Sequence, residues 1–153
     1  MTHDEIRAAI IADPAIYALL PSSEAIAGAL SAGRKRLQPR QISERGILAA
    51  LGPAAGGKLL SALDGFAAMT LPAEHPLFAA HDGIARAIRW LKDAEGIDVG
   101  DSNTQTMLAT FAALGITDPG ATATVQALGF VGDPVSEFDV RCAIFNADGT
   151  LAL

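Results

Sequence analysis

SERGILAALGPAAGGKLLSALDGFAAM, residues 43–69, is the stretch that decides the fold. Ser43 can cap a first helix, and the Gly52-Pro53 pair ends it, because glycine adopts the left-handed turn after a helix and proline cannot continue one. From residue 58 to residue 69 the leucines and Phe66 fall on one face of a second helix. Two amphipathic helices joined at a glycine-proline break indicate a helical bundle.

The same punctuation recurs on both sides of this stretch. The chain has 31 alanines among its 153 residues, and alanine is the best helix former. Helix starts are predicted from capping residues and prolines at Thr2, Asp13, Ser22 or Ser23, Ser43, Asp82, Ser102 or Asn103, Asp118 and Ser136. We therefore expect an all-α fold, a compact bundle of about seven to eight short helices, with a short extended stretch allowed near residues 34–42.

The length and punctuation predict one domain over residues 1–153, because chains of about 100 to 200 residues usually build a single core. Residues 146–153 carry no helical pattern, and Asp148-Gly149 predicts a tight turn within them. We expect this short non-helical tail to pack back on the domain, since Leu151 and Leu153 are apolar.

Composition limits the partners and the compartment. A formal net charge of −6 argues against attraction to nucleic acid or to anionic lipid, so neither is expected as a partner. The single cysteine, Cys142, cannot form an internal disulfide, which is typical of a reducing compartment or of a particle assembled inside a cell. The acids Asp4 and Glu5 stand where a secretory signal would carry cations, and no run reaches the roughly 18 apolar residues of a membrane span. Synthesis in the cytoplasm is expected.

Three patterns suggest catalysis or metal binding, and each has a simpler interpretation. GPAAGGKL, residues 52–59, has phosphate-loop spacing but places Leu59 where magnesium needs a hydroxyl, and no strand precedes it. His75 and His81 are spaced poorly for a metal site and are interpreted as surface or capping residues. The four acids of residues 93–101 lack calcium-loop spacing and are expected to end and cap helices. We predict no catalytic residues, no cofactor and no metal, and therefore no enzyme.

A cluster of cations is the candidate binding site. Five of the eleven cationic residues fall within residues 34–45, namely Arg34, Lys35, Arg36, Arg40 and Arg45. No aromatic residue for base stacking accompanies them, so a nucleic-acid site has little support. Two interpretations remain open: a solvated face, or a patch that contacts another protein through the multiple donors of arginine.

Five stretches taken together resemble one protein family: DEIRAAI (residues 4–10), AIAGALSAGR (25–34), ISERGILAALG (42–52), GIDVG (96–100) and DPVSEFDVR (133–141). In this order they are similar to a family of small helical proteins encoded in the structural and morphogenesis gene regions of tailed bacteriophages and prophages. The resemblance continues to FNADG at residues 145–149 and so covers nearly the whole chain. It implies a phage setting rather than a mechanism, because the family offers no catalytic residues to carry over.

The resemblance leads to two functional expectations. The first is a non-enzymatic virion-associated or assembly accessory protein, made in the host cytoplasm and then built into the particle, that binds a capsid or tail component and can self-associate. The alternative is a phage accessory protein that binds and modulates a host or phage regulatory protein. A nucleotide-handling enzyme would depend on Lys58 alone.

Overall fold

The computed structural model describes all 153 residues, of which 59% are helical. The eight α-helices are α1 (His3–Ala12), α2 (Pro14–Tyr17), α3 (Ser23–Ser31), α4 (Glu44–Ala68), α5 (His81–Trp90), α6 (Ser102–Ala113), α7 (Pro119–Ala127) and α8 (Glu137–Ile144). The four short strands are β1 (Lys35–Leu37), β2 (Gln41–Ile42), β3 (Ile97–Asp98) and β4 (Phe130–Gly132), and a 3₁₀ turn covers Phe78–Ala80. The predicted mostly helical chain is confirmed, including its extended stretch, whereas an all-α description leaves out β3 and β4.

The helices begin at the predicted polar residues because those side chains satisfy free backbone N–H groups. Thr2 and Glu5 form a capping box at α1, and Asp13 and Ser22 accept backbone N–H bonds at α2 and α3. Ser136 does the same at α8. The expected caps therefore set these helix starts, while α5 begins one residue before Asp82 without a side-chain cap. Two further expectations about caps were wrong: the side chain of Ser43 makes no cap hydrogen bond at α4, and α6 is capped by Asp101 rather than by Ser102 or Asn103.

The backbone contacts divide the chain into two compact units. The split unit consists of Met1–Arg36 together with Gly132–Leu153, and the inserted unit is Leu37–Val131. The prediction of one domain and a tail stays a prediction, which an experiment on fragments can decide.

In the split unit, α1 and α3 both pack on α8. Its core consists of aliphatic and small residues, which are Ile6, Ile10, Ile26, Ala27, Leu30, Val135, Val140, Ala143 and Ile144. The Nε of Arg7 donates to the carbonyl of Ala143 at 2.7 Å, which ties α1 to the last turn of α8. The tail packs back as expected, because the N–H of Ala152 donates to the carbonyl of Ile144 at 2.8 Å and Leu153 contacts the core, whereas Leu151 is 49% exposed.

In the inserted unit, α4 packs against α5 and α7, and α6 packs against α7. The core residues are Ile42, Ile47, Leu59, Leu63, Phe66, Ile88, Leu91, Ile97, Val99, Leu108, Phe111 and Val125. Strands β2 and β3 pair antiparallel, with Gln41 opposite Asp98 and Ile42 opposite Ile97. This short sheet orders the connector between residues 37 and 43.

Helix α4 is broken where the sequence predicts. Gly52 has φ 78° and ψ 163°, which are not helical, so residues 44–51 and 53–68 form two helical segments that meet at a kink. Pro53 stands at the start of the second segment, where its missing N–H does no harm. By length and composition α4 is the one helix apolar enough to cross a membrane, a criterion that core helices also meet.

Candidate protein-binding surfaces

The five predicted cations lie on both units. Arg34, Lys35 and Arg36 belong to the split unit, whereas Arg40 and Arg45 belong to the inserted unit. Their sequence clustering therefore yields two groups of cations, each with its own surroundings.

Arg34 is engaged within the split unit. Its Nη2 lies 2.7 Å from the Oδ2 of Asp133, and its Nε donates to the Asp133 carbonyl at 3.3 Å. The N–H of Asp133 returns a bond to the carbonyl of Arg34 at 3.2 Å. This reciprocal contact connects the segment after α3 to the segment before α8, so Arg34 has less capacity for a partner than its neighbours.

Lys35 and Arg36 are exposed on β1. The Nε of Arg36 is 4.0 Å from the Oδ1 of Asp133, and its side chain is 64% exposed, so this ion pair is weak. Lys35 has no ion pair. These two cations of the split unit remain available to a partner.

Arg40 and Arg45 flank β2 in the inserted unit. The backbone N–H of Arg40 donates to the Oδ1 of Asp98 at 2.7 Å, and its Nη1 donates to the carbonyl of Leu128 at 3.3 Å. Arg45 is exposed in the first turn of α4 and forms no ion pair. Of these two, Arg45 is the less engaged.

The split unit also exposes an aromatic side chain. Phe138 in α8 is 71% exposed, the largest exposed fraction among the large apolar residues. It lies beside a groove of about 590 Å³ that Arg141, Cys142 and Phe145 also line. Sequence reasoning missed this surface, although Val140, Ala143 and Ile144 define a buried stripe from which Phe138 is displaced by two residues, or about 200° around the helix.

The inserted unit has a groove between α5 and α6. It holds about 360 Å³, and α5 lines it with the small residues Gly83 and Ala87 beside Ile84. Met107 and Thr110 of α6 form the opposite wall, and Phe111 lies at its base. Because the α5 wall is built from small side chains, this groove can admit a bulky apolar group.

The residues of the patterns that suggested chemistry have the following surroundings in the structure. The phosphate-loop look-alike lies inside α4, where Gly52 forms the kink and Lys58 is exposed on the second helical segment. His75 Nδ1 accepts from the N–H of Leu77 at 3.1 Å, and His81 Nε2 bonds to the carbonyl of Phe66 at 3.0 Å. Both histidines are half-buried and make local hydrogen bonds, whereas the sequence predicted surface or capping residues.

Two of the four acids in residues 93–101 have defined structural roles. The Oδ1 of Asp98 accepts from the N–H groups of Arg40 and Gly100, at 2.7 and 2.8 Å. Asp101 caps α6 by accepting from the N–H of Thr104 at 2.9 Å. The predicted capping role is confirmed for Asp101, whereas Asp98 lies in β3 and binds backbone N–H groups outside any helix.

Two exposed carboxylates have altered pKa values, both for local reasons. The N–H of Thr2 donates to Glu5 at 2.7 Å and lowers the pKa of that carboxyl below its ordinary value of 4.5. The hydroxyl and N–H of Thr150 lower the pKa of Asp148 below 3.8. The bond from Thr2 closes the cap of α1, and the bonds from Thr150 close a turn, so local structure explains both pKa shifts.

No family model, no curated protein and no solved structure matches this chain. The phage family and the protein-binding role therefore remain predictions from the sequence.

Proposed function

We propose that this chain is a non-enzymatic accessory protein of a tailed phage particle, which is made in the host cytoplasm and binds a capsid or tail protein. The phage setting is taken from the resemblance of the five sequence stretches. The observation that supports a binding role is that Lys35, Arg36 and Arg45 stay exposed with little or no pairing on a chain of net charge −6.

The chemistry of these cations defines the kind of surface that they would contact. Arginine presents several N–H donors in a plane and suits carboxylates at protein interfaces. The expected partner therefore carries an acidic patch. Because exposed ion pairs contribute only about 0.2–1 kcal/mol each, apolar contact must supply most of the affinity while the cations direct the approach.

Quantitative mass spectrometry of purified particles from the parent genome tests the proposal. The protein should be present at a reproducible copy number relative to the major capsid and tail-tube proteins. Hundreds of copies would indicate a lattice or tube component, and a handful would indicate the neck or tip. Its absence from particles, together with normal assembly in a deletion strain, would contradict the proposal.

Charge reversal tests the role of the cations. The double variant R36E/R45E should lower incorporation into particles, because both guanidinium groups become carboxylates that repel an acidic partner. The matched control is K58E/R89E, which reverses two exposed cations outside the cluster. Equal incorporation of both variants would remove these arginines from the binding site. If R36E/R45E instead loses a captured host or phage regulator while particles form normally, the modulator alternative is favoured.

A further inference from the structure

Helix α5 presents an unpaired acid and an unpaired base beside its groove. Asp82 and Arg86 are four residues apart and exposed, and neither takes part in an ion pair. Successive side chains of an α-helix are rotated by about 100° around its axis. The mean direction of Asp82 and Arg86 therefore lies about 100° before the mean direction of Gly83 and Ala87, the small residues of the groove wall. Charge thus borders the groove on one side.

Helix α8 carries the same spacing of an acid and a base, beside the bulky Phe138 rather than beside a groove. Glu137 and Arg141 are also four residues apart, exposed and outside any ion pair. Their mean direction lies about 80° before that of Phe138, in the same sense of rotation as on α5. The two helices therefore carry matching patterns, one with a protruding aromatic ring and the other with a gap.

An antiparallel alignment of α8 on α5 pairs the opposite charges and also places Phe138 at the groove. When Glu137 faces Arg86, Arg141 faces Asp82, because both acid–base pairs span four residues in the same order. In this register Phe138 lies opposite residue 85, midway between Gly83 and Ala87. Two antiparallel helices that face each other are related by a twofold rotation. Side chains that are turned by the same angle and in the same sense from the facing direction of each helix therefore lie on the same side of the contact. The charges consequently meet on one side, and Phe138 meets the groove on the other.

We propose that α8 of one copy docks antiparallel on α5 of a second copy, with Phe138 in the α5–α6 groove. Groove residues such as Ile84 and Met107 offer apolar contact to the ring, and the charged pairs fix direction and register. The two faces of the contact are different, so the association is heterologous, and a pair of copies retains one free groove on one copy and one free aromatic ring on the other. This contact between copies is independent of the phage setting and of the cationic residues.

Sedimentation velocity of the full-length chain over a range of concentrations measures the contact. We expect concentration-dependent association of the unaltered protein, and F138S should weaken it by at least about tenfold because the aromatic anchor is lost. The matched control is I11S in α1, which removes another exposed apolar side chain of the split unit and should leave association unchanged.

A second variant closes the groove without disturbing the fold. A Cβ at Gly83 meets no atom within 4 Å, so G83F should fold and fill the groove with its own ring. The matched control is G65F, at an exposed helical glycine of α4 that also has open space. G83F should lose association by at least about tenfold, and G65F should keep it.

Mixing the two defective variants tests whether the ring and the groove meet. F138S retains an intact groove and G83F retains an intact Phe138, so an equimolar mixture should form a one-to-one complex that grows no further. A double variant tests the charged pairs. R86E and E137R should each weaken association, because each places like charges opposite one another. The double variant R86E/E137R places opposite charges there again and should restore association.

Several results would overturn the proposal. They are a monomeric unaltered protein at about 1 mM, association of F138S or G83F at the unaltered level, a mixture of the two that remains monomeric, or an R86E/E137R double variant no better than the single ones. None of these results depends on whether the protein enters a particle, so this inference and the proposed function fail separately.

Discussion

At the scale of single residues, the inserted unit depends on glycines where backbone segments cross. A Cβ at Gly100 would overlap the carbonyl group of Gln38, and one at Gly129 would overlap the carbonyl group of Val99. Since a backbone carbonyl cannot move aside as a flexible side chain can, these positions exclude every residue with a side chain. They hold the connector beside β2 against the segments after β3 and α7.

G100A should therefore destabilise the protein, by about 2 kcal/mol or more, because the added methyl group forces two backbone segments apart. The matched control is G57A, in the second segment of α4, where a Cβ meets no atom within 4 Å. That change should stabilise the helix by about 0.5–1 kcal/mol, since alanine loses less conformational entropy there. Urea unfolding of both variants measures the difference, and equal stability would contradict the overlap at Gly100.

A buried pair of hydroxyls gives a second prediction at this scale. The Oγ1 atoms of Thr117 and Thr122 lie 2.8 Å apart, and Thr122 is fully buried. T122V keeps the shape but leaves the Thr117 hydroxyl without its partner, so we expect a loss of about 1–3 kcal/mol. The double variant T117V/T122V removes both polar groups and should be more stable than T122V. Chemical denaturation decides, and a double variant that is less stable than T122V would count against this reading.

At the scale of elements, α1 is held by its capping box, and this contact makes its stability depend on pH. The folded protein has a lowered pKa for Glu5, so the carboxylate stabilises α1 at pH values above its unfolded pKa near 4.5. That contribution is lost as the pH falls through the lower folded value. The unaltered protein should therefore exceed E5Q in stability at neutral pH, and the difference should vanish in acid. Unfolding of both proteins from pH 7 to pH 2 measures it, and a constant difference would contradict the role of the charge.

Helix starts could be predicted from the sequence because a cap joins atoms only two or three residues apart. Thr2 with Glu5 and Ser136 with Asp139 are examples. An extended stretch at residues 34–42 could also be predicted, but its strand pairing could not, since β2 has two residues and pairs with β3 more than fifty positions later. In such short strands, partners that are distant in the sequence determine the structure, and no local pattern identifies them.

In the candidate site too, local features could be predicted from the sequence, and contacts between distant residues could not. The cationic run is visible in the sequence, but the partner of Arg34 is Asp133, which is 99 positions away. This pairing is what separates Arg34 from its exposed neighbours Lys35 and Arg36. The exposure of Phe138 could be predicted from its angular distance from the buried face of α8. The groove between α5 and α6 could not, because it depends on how two separate helices pack.

At the scale of the whole molecule, each unit has a hydrophobic core of its own, and this predicts how fragments behave. Residues 37–131 contain all the buried residues of the inserted core, so this fragment should fold alone and unfold cooperatively. Residues 1–36 lack the α8 part of the split core, so they should remain largely unfolded. Circular dichroism with thermal unfolding measures both fragments. A fragment 37–131 without a cooperative transition would instead favour the single domain expected from the sequence.

The split unit also orders events during translation. The ribosome makes α1 and α3 roughly 100 residues before α8, a delay of about 5–20 s at ordinary elongation rates. During that interval Ile6, Ile10 and Ile26 have been synthesised, but the α8 residues that cover them have not. The inserted core is complete earlier, because all of its residues precede residue 132. The nascent chain therefore carries the apolar faces of α1 and α3 uncovered until α8 has been made.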